Sequence, residues 1–452
     1  MNLLNKKMIG LLGLMILGVF LCACGNKEQT RQNPSQGHKV ADAETKEKEP
    51  EEISGVLVVY TDRIDKIQTK FAEYKAIFEA KHPGTEIVFK GFSDYETRVT
   101  AQMEKGEYGD VILIPHGISG DDLEFYFEPL GTVEELSETY QESYLQAAQC
   151  EGVVYGLAQY VTPLGIAYNK KVFEKAGIIE LPRTPEDFLT ALTQIQTSQS
   201  GVIPFYTGKK RPAGLAWWQQ HVWGSVSGNP DYHYNRMITD EAPFSVGKPN
   251  YIAHKLLYDI VERGLCEEEK DSLNWKTVRK MLNDGEIGCV PVEWEEIAEL
   301  QKASTNPDDI GYMPFPYHIN DVQYAAATIG YCYAVNKNSQ NKATAKAWIE
   351  YMSKDSGYAK SEGAVSILNK EELPDLLKSF QGVELVVEDD TSMEARENYD
   401  QLQALSGILQ PGGTEKKQII EAASQEETDF DNIMKEWNDR WKKALQGESS
   451  VE

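Results

Sequence analysis

The first folded segment alternates strands with a helix, and this alternation restricts the possible folds more than any other feature of the chain. Residues 56–60 form a continuous apolar run, typical of a parallel strand that is covered on both faces. Apolar side chains within residues 64–78 recur at spacings of three and four, which predicts an amphipathic helix. Further strands are predicted at residues 86–90 and 110–114. This order predicts an α/β fold with right-handed crossovers.

A second α/β unit begins with a predicted strand at residues 165–169. Thr184, Pro185 and Asp187 predict a helix start, with a capping hydroxyl, a proline at the first helical position and a carboxylate three residues after the cap. The later predicted elements are strands at 202–206, 287–292 and 325–335, and helices at 251–263, 275–282, 344–352 and 433–445. The 400 residues from 53 to 452 exceed what one core usually organises, so two domains are expected.

Two loops that follow predicted strands are candidate binding loops. Asp62 and Arg63 follow the first strand, and His116 follows the strand at residues 110–114. Ligands of open α/β sheets bind beyond the carboxyl ends of the strands, which is where these loops are expected. An ordinary solvated turn is the alternative for each loop.

The N-terminus has the features of an exported lipoprotein. Two lysines precede an apolar run at residues 8–21, and the sequence Leu21-Cys22-Ala23-Cys24 that ends it resembles the bacterial lipobox. We expect residues 1–23 to be a signal peptide and Cys24 to carry the lipid that anchors the chain at the extracytoplasmic face of the cell membrane. An uncleaved membrane anchor is the alternative, but fourteen residues span only about 21 Å of a core about 30 Å thick. The polar residues 24–52 are expected to be a flexible tether.

The acidic composition excludes some partners. A formal net charge of −26 at pH 7 argues against binding to nucleic acid or to anionic lipid, and its ordinary consequence is solubility. Cys150, Cys266, Cys289 and Cys332 form neither a CxxC pair nor a zinc-binding spacing. Cys289 and Cys332 lie in predicted strands, where a thiol acts as a small apolar group. Buried thiols are expected rather than disulfides, although export leaves disulfides open.

Catalytic motifs are missing from the sequence. Residues 224–228 have Val226 where a nucleophile elbow requires serine. The seven histidines form no HExxH pair, and there is neither a GxxxxGK(S/T) phosphate loop nor an EF-hand series. Paired carboxylates for glycoside hydrolysis stay open, because 71 acidic residues supply many possible pairs.

Tryptophans lie beside polar residues at two places. Three occur between residues 217 and 223 with glutamines and a histidine, and Trp294 lies between two glutamates. Carbohydrate sites combine such groups, because the C–H faces of a pyranose pack on aromatic rings while its hydroxyls require charged or amide partners. Tryptophan also fills protein cores. Of Trp217 and Trp218, we expect one to face inward and one outward.

Several passages carry a family resemblance. A helix–strand passage at residues 281–290 leads to Trp294 and is followed by residues 309–316. Further passages that fit the same pattern are residues 106–111, 165–173 and 341–351. In their order and spacing, these passages together resemble the extracellular solute-binding proteins of sugar ABC transporters, a family that includes maltose-binding protein. The resemblance extends from about residue 55 to the C-terminal helix.

The resemblance implies a periplasmic-binding-protein-like α/β fold of two lobes that are joined by crossing strands. Residues 53–160 and 317–365 would form the first lobe, and residues 161–316 and 366–452 the second. The ligand would bind in the cleft between the lobes, and hinge closure would bury it. We expect a monomer without cofactor or metal that docks on the permease subunits of an ABC transporter.

The resemblance also implies a binding site. Trp294 is similar by position to the family's second-lobe tryptophan that stacks on a sugar. Glu293 is expected to accept a hydrogen bond from a ligand hydroxyl. Many relatives have a Gly-Ser-Trp or Gly-Pro-Trp step here, whereas this chain has Pro291-Val292-Glu293-Trp294. The other candidates lie near strand ends or lobe crossings: Asp62, Arg63, Asp94, Tyr95, His116, Tyr160, Trp218, Trp223 and Tyr331.

The expected function is capture of a carbohydrate and its delivery, chemically unaltered, to an ABC importer. An exported carbohydrate-active hydrolase is the alternative from another class of protein. The same fold with a polyamine or peptide as cargo is a third hypothesis. The many aromatic residues disfavour a bare metal ion as cargo, since hard cations bind in cages of oxygen ligands.

Overall fold

The structure, a computed structural model, describes residues 52–118, 120–208, 212–268, 273–388, 393–409, 414–425 and 429–451. The predicted signal peptide, the acylation site Cys24 and the tether up to residue 51 lie outside the described residues. No helix within these ranges combines the length and the apolar character that crossing a membrane requires.

Short strands and helices alternate along the described chain. The strands are, in chain order, β1 (Gly55–Thr61), β2 (Thr85–Gly91), β3 (Val111–Leu113), β4 (Phe127–Glu128), β5 (Gly131–Thr132), β6 (Gln149–Cys150), β7 (Val153–Val154), β8 (Gly156–Ala158), β9 (Val161–Pro163), β10 (Gly165–Asn169), β11 (Ile203–Phe205), β12 (Ile287–Val292), β13 (Ile310–Met313), β14 (His318–Ile319), β15 (Val322–Ile329), β16 (Cys332–Asn336) and β17 (Glu384–Val387). The helices are α1 (Ile64–Ile67), α2 (Lys70–Lys81), α3 (Tyr95–Met103), α4 (Leu123–Tyr126), α5 (Val133–Ser137), α6 (Glu142–Leu145), α7 (Lys170–Lys175), α8 (Pro185–Ser198), α9 (Pro212–His221), α10 (Pro249–Glu262), α11 (Trp275–Asp284), α12 (Trp294–Ala303), α13 (Lys342–Lys354), α14 (Tyr358–Ser361), α15 (Met393–Ser406), α16 (Thr414–Gln425) and α17 (Phe430–Leu445).

The first lobe is built on a sheet of strand order β2-β1-β3-β16-β4, with β8 also paired to β16. Strand β1 runs parallel to β2 and to β3, whereas β16 is antiparallel to β3, β4 and β8. Helices α2 and α13 pack together beside it, and the rings of Phe78 and Trp348 meet edge to face at 5.2 Å. Since β1 and β3 are parallel neighbours, the loops that follow them lie at one edge of the sheet.

The second lobe is built on a sheet of strand order β11-β12-β10-β13. Strand β11 is parallel to β12, and β10 is antiparallel to both β12 and β13. In its core, Phe205 contacts Phe188 and Trp218 with ring centroids 5.7 Å apart in each pair. The C-terminal helix α17 docks on this core through Trp437 and Trp441, both fully buried, as its apolar stripe predicts.

A third sheet connects the two lobes. Its order is β14-β15-β17, and β9 also pairs with β15. Strand β15 is antiparallel to β9, with Ala327 opposite Pro163, and parallel to β17, with Ala326 opposite Val386. Strand β9 joins β8 of the first sheet to β10 of the second, and β15 leads into β16 of the first. These strands are the crossings between the lobes, while the exact lobe limits stay a prediction.

The helix predicted at residues 64–78 is wrong in one respect, because the structure divides it into α1 and α2. Thr69 leaves the helical path with φ −123° and ψ −105°. Helix α1 turns its isoleucine side chains onto β2, and a Cβ at Gly91 would lie only 2.6 Å from Cγ1 of Ile64. The break therefore allows α1 to close over the sheet edge.

The single strand predicted at residues 325–335 is also wrong, because it forms the two strands β15 and β16. Between them, the amide of Gly330 donates to the carbonyl of Tyr160 at 3.0 Å. The two halves pair with different sheets, since β15 joins the crossings and β16 joins the first lobe. The segment predicted as one strand therefore passes from the crossing sheet into the sheet of the first lobe.

Two of the cysteines are buried in strands, as predicted. The thiol of Cys289 in β12 donates to the carbonyl of Pro204 at 3.4 Å. Burial raises the pKa of the Cys332 thiol in β16 to about 12. Both thiols therefore act as small groups of the core.

Candidate ligand-binding site

A cavity of about 560 Å³ lies where the crossing strands meet the second lobe. Strands β9, β15 and β17 contribute small and apolar side chains to it. The other lining groups include two tryptophans and several charged side chains: Trp223, Glu293, Trp294, Glu295, Glu388 and Arg396. Small-molecule sites typically have volumes of about 300–1,000 Å³ and combine apolar surface with a few placed polar groups.

Trp294 is placed by the junction of a strand and a helix. Glu293 caps α12 in an extended conformation directly after β12, and Trp294 is the first residue of the helix. The indole meets the ring of Tyr312 edge to face, with the centroids 5.9 Å apart. A Cβ at Gly363 would lie 3.3 Å from Cζ2 of Trp294, so the far edge of the indole packs against this glycine. The tryptophan is therefore held on two sides and lines the cavity with a partly buried ring.

Tyr312 fixes the strand that leads to Trp294. Its buried hydroxyl lies 3.1 Å from the carbonyl of Pro163 and 3.2 Å from that of Val292. Burial raises the pKa of Tyr312 well above its usual value, which keeps the hydroxyl protonated as a donor. One side chain thus ties β9 of the crossings to β12 of the second lobe.

Trp223 forms a second aromatic surface of the cavity. Its ring stacks on His233 with the centroids 3.6 Å apart and the planes 11° apart. Its Nε1 is buried and has no hydrogen-bond partner among the residues that the structure describes. Glu388, also a lining residue, has its Oε1 2.6 Å from Nδ1 of His233.

A close backbone approach positions Trp223. Gly224 lies against β15, where a Cβ would meet Cα of Ala326 at 2.5 Å. The hydroxyl of Ser225 accepts a hydrogen bond from the amide of Ala326 at 3.0 Å. Glycine is needed here because any side chain would separate the turn from the strand. Below, Trp223, Glu293, Trp294 and Glu388 are called the cavity wall.

The first-lobe candidates form a separate group. Arg63 donates to Glu362 at 2.7 Å, and Lys66 donates to the other oxygen of the same carboxylate at 2.7 Å. Asp62 Oδ1 is buried without a hydrogen-bond partner in the described part of the chain. Burial raises the pKa of Asp62 above its usual value, and it raises the pKa of Tyr160 to about 12.

Tyr331 and His116 extend this group. Their rings stack with the centroids 4.5 Å apart and the planes 16° apart. The hydroxyl of Tyr331 donates to Glu96 at 2.6 Å, and the other oxygen of Glu96 accepts from the amide of His116 at 3.1 Å. Burial and the neighbouring carboxylate raise the pKa of Tyr331. Below, this group is called the first-lobe cluster; its members are Asp62, Arg63, His116, Tyr160 and Tyr331.

The first-lobe cluster does not line the cavity, but two contacts bring it near. Tyr160 pairs through its carbonyl with Gly330, the residue that follows the cavity-lining strand β15. Glu362, the partner of Arg63, directly precedes Gly363, which packs against Trp294. The predicted site residues therefore fall into two neighbouring groups rather than one.

Two predicted site residues lie apart from both groups, and a third, Tyr95, packs against the first-lobe cluster with its ring centroid 5.5 Å from that of Tyr331. Trp218 is 1% exposed in the second-lobe core, and its Nε1 donates to the carbonyl of Ala253 at 3.0 Å. Tyr95 is 4% exposed, and its hydroxyl hydrogen-bonds with the backbone of Leu113. Asp94 is exposed at the start of α3. These placements argue against direct ligand contacts for Trp218 and Tyr95, which pack in the lobe cores.

Some lining residues are missing from the predicted set. Glu295 and Gln220 are neighbours of the predicted tryptophans, and Gln220 donates to Glu293 at 3.2 Å. Their position beside Trp294 and Trp223 is a signal that was present in the sequence. Glu388 and Arg396 come from the end of β17 and from α15, and no local motif marks them. Tertiary structure alone brings them to the cavity.

The arrangement can hold an uncharged polar ligand. Aromatic rings offer surfaces for C–H groups, and the carboxylates offer acceptors for hydroxyls. Within the described ranges, no group of three or more His, Cys, Asp or Glu side chains has the geometry to hold a metal ion.

The chain is similar in sequence to known binding proteins. Residues 60–359 match the sequence family described as bacterial extracellular solute-binding protein. The diacetylchitobiose binding protein DasA of Streptomyces coelicolor is 26% identical over 258 residues, which are 55% of this chain and 57% of that protein. The chain spans about half the length of the curated relatives that it matches.

Solved structures share the fold over most of the chain. A manno-oligosaccharide specific solute binding protein from Bifidobacterium animalis subsp. lactis, in complex with mannotriose, is 28% identical with a TM-score of 0.63. The alignment covers 88% of this chain and 96% of that protein. The apo-form of RafE from Streptococcus pneumoniae is 14% identical with a TM-score of 0.66, covers 87% and 99% of the two chains, and shows the fold alone. These likenesses confirm the predicted α/β fold of two lobes.

Proposed function

Because this chain belongs to the family of bacterial extracellular solute-binding proteins, we propose that it captures a carbohydrate outside the cytoplasm and delivers it to an ABC importer. The proposal depends on one observation, the cavity wall, in which two tryptophans and two glutamates surround a single cavity. Such a combination suits a pyranose, whose C–H faces and hydroxyls need both kinds of group. The protein then acts by binding and not by catalysis.

The proposed cargo is a neutral oligosaccharide. Two similar structures, 28% and 29% identical to this chain, were solved with mannotriose and mannobiose, and the relative DasA is named for diacetylchitobiose. These sugars are therefore the first to test. The cavity wall and the first-lobe cluster would bind them from opposite sides of the cleft.

Lobe closure around the sugar is part of the proposal. The crossings β9, β15 and β17 connect two separate cores, which suits a hinge. We expect the radius of gyration in small-angle X-ray scattering to decrease when a sugar that the protein binds is added. An unchanged scattering curve at saturating sugar would contradict closure.

Attachment to the membrane through Cys24 also belongs to the proposal. The resemblance of residues 21–24 to a lipobox supports it. In a bacterial host that processes lipoproteins, the full chain should fractionate with membranes, whereas the Cys24→Ala variant should not. Membrane association of both forms would contradict acylation at this residue.

Isothermal titration calorimetry tests the binding function. We expect the protein to bind at least one of mannobiose, mannotriose and diacetylchitobiose. Trp294→Ala should weaken that binding by about 1–3 kcal/mol, because it removes one stacked aromatic ring. Phe125→Ala is the matched control, since Phe125 is 71% exposed on α4 and does not line the cavity.

Two results would overturn the proposal. Unchanged sugar affinity of Trp294→Ala would place the ligand elsewhere. Release of reducing ends from oligosaccharides by the purified protein would instead support the alternative function, an exported carbohydrate-active hydrolase.

A further inference from the structure

His233 is enclosed by aromatic rings behind the cavity wall. The residue lies in the turn at Tyr232–Arg236 and is 2% exposed. Besides the stacked ring of Trp223, it contacts Tyr234 with centroids 3.9 Å apart and Tyr399 edge to face at 4.4 Å. Rings on three sides therefore fix the plane of the imidazole.

His233 contacts two groups of the cavity wall at once. One face of the imidazole covers one face of the Trp223 indole. Its Nδ1 lies 2.6 Å from Oε1 of Glu388, and because a carboxylate only accepts hydrogen bonds, the imidazole is the donor. The two groups come from distant parts of the sequence, and His233 is a shared support for both.

Burial keeps the His233 imidazole neutral. Burial, its main influence, lowers the pKa of His233, and the positive charge of Arg396 lowers it further. The carboxylates of Glu388 and Asp400 act in the opposite direction on this pKa. Near neutral pH the ring is therefore uncharged and carries its proton on Nδ1.

The contacts with His233 leave parts of Trp223 and Glu388 available to a ligand. The stack covers one face of Trp223, and the half-buried indole also lines the cavity, where its remaining exposed surface can receive the C–H groups of a sugar. His233 donates to one oxygen of Glu388, whose side chain is 40% exposed. The second oxygen can therefore accept a hydrogen bond from a sugar hydroxyl. Both orientations depend on the imidazole.

We propose that His233 is a positioning residue for ligand binding, which holds the Trp223 indole and the Glu388 carboxylate in the orientation that receives a sugar. The inference rests on the proposed carbohydrate-binding function. It adds a residue that touches no ligand but determines how two ligand-binding groups are presented.

Three substitutions test it by calorimetry with the sugar that binds best. His233→Phe keeps a stacked ring but loses the hydrogen bond, and we expect affinity to fall about 3- to 10-fold. His233→Ala loses both contacts and should lower affinity by about 10-fold or more. Glu388→Leu removes the acceptor and should lower affinity at least as much as His233→Phe, and the double variant should lose less than the sum of the two effects, because both substitutions break the same contact.

Tryptophan emission provides a readout that a merely structural role would not change. A stacked imidazole alters the emission of an indole, and the difference between wild-type and Trp223→Phe spectra isolates the contribution of Trp223. His233→Phe and His233→Ala should change this difference spectrum without ligand. His82 is the matched control, since it contacts Phe78 with centroids 4.6 Å apart and does not line the cavity. His82→Phe should change neither the Trp223 difference spectrum nor the affinity for the sugar.

The outcomes separate this inference from the proposed function. If the wild type binds none of the sugars, the proposed function fails, and the ligand-free emission still decides whether His233 positions Trp223. If His233→Ala does not fold, the affinities and spectra of His233→Phe and Glu388→Leu decide between the outcomes. Wild-type affinity and an unchanged Trp223 difference spectrum in the folded His233 variants would overturn the inference.

Discussion

The cavity wall and the first-lobe cluster differ in how their groups are partnered. Trp223 and Trp294 rest on other rings and present apolar surface that is already fixed. Arg63 and Tyr331 are instead occupied by carboxylates of their own lobe at 2.7 and 2.6 Å. A sugar that binds the first-lobe cluster must exchange these hydrogen bonds, whereas stacking on the cavity wall needs no such exchange. We therefore expect most of the affinity to come from the second lobe.

The largest expected effect is at the base of the cavity wall. Gly224→Ala would place a Cβ 2.5 Å from the Cα of Ala326, and backbone on both sides cannot easily move. We expect the free energy of unfolding to fall by about 1–3 kcal/mol or more in urea denaturation, together with loss of sugar binding. Gly117→Ala is the control, since a Cβ at Gly117 meets nothing within 4 Å, and it should change stability by less than about 0.5 kcal/mol. Equal stabilities of the two variants would contradict the close approach.

Trp223→Ala should have the next largest effect. It removes the indole that lines the cavity and stacks on the buried His233. Sugar affinity should fall by about 1–3 kcal/mol in calorimetry. Trp223→Phe retains part of the surface and should lose less. A loss no greater than that caused by Tyr331→Phe would reverse the ranking of the two regions.

Tyr331→Phe measures the first-lobe cluster directly. The variant keeps the ring that stacks on His116 and removes the hydroxyl that donates to Glu96. If sugar hydroxyls replace this internal bond on binding, affinity should fall by about 0.5–1.5 kcal/mol in calorimetry. Greater loss than in Trp223→Ala would show that the first lobe dominates.

Asp62→Asn should produce the smallest effect. Unlike Gly224→Ala, it should stabilise the folded protein. Burial raises the pKa of Asp62 above 3.8, so the folded protein disfavours the charged carboxylate. Removal of that charge should raise Tm slightly near neutral pH. The gain should disappear as the pH falls below 3.8, because the carboxyl is then protonated in both the folded and the unfolded states. A lower Tm of the variant at neutral pH would contradict this.

Local sequence patterns predicted most elements of the fold. Thr184 accepts from the amide of Asp187, and Pro185 begins α8, as the capping pattern indicates. The break at Gly330 was not predictable in this way, because an apolar β run gives no sign that its two halves join different sheets. That information lies in distant strands such as β9 and β8.

The candidate site shows the same limit. Trp294 is recognisable in the sequence because it lies between two glutamates and is similar by position to the tryptophan of the family that stacks on a sugar. Trp218 and Trp223 lie five residues apart with similar neighbours, yet one is in the core and the other lines the cavity. Periodicity does not resolve them, because a π-helical turn at Val222–Val226 interrupts the helical spacing after α9. Glu388 was missed because only the pairing of β17 with β15 brings it to the cavity.

The hydroxyl of Tyr312 anchors both a crossing strand and the strand that leads to Trp294, and it does so through backbone carbonyls alone. Cavity side chains that do not touch Tyr312 can therefore be exchanged without disturbing this anchor, whereas Trp294 packs on its ring. Under the proposed function, the second lobe is therefore a practical scaffold for sugar biosensors, in which cargo preference is changed at Glu293 while the coupling to the proposed hinge is kept.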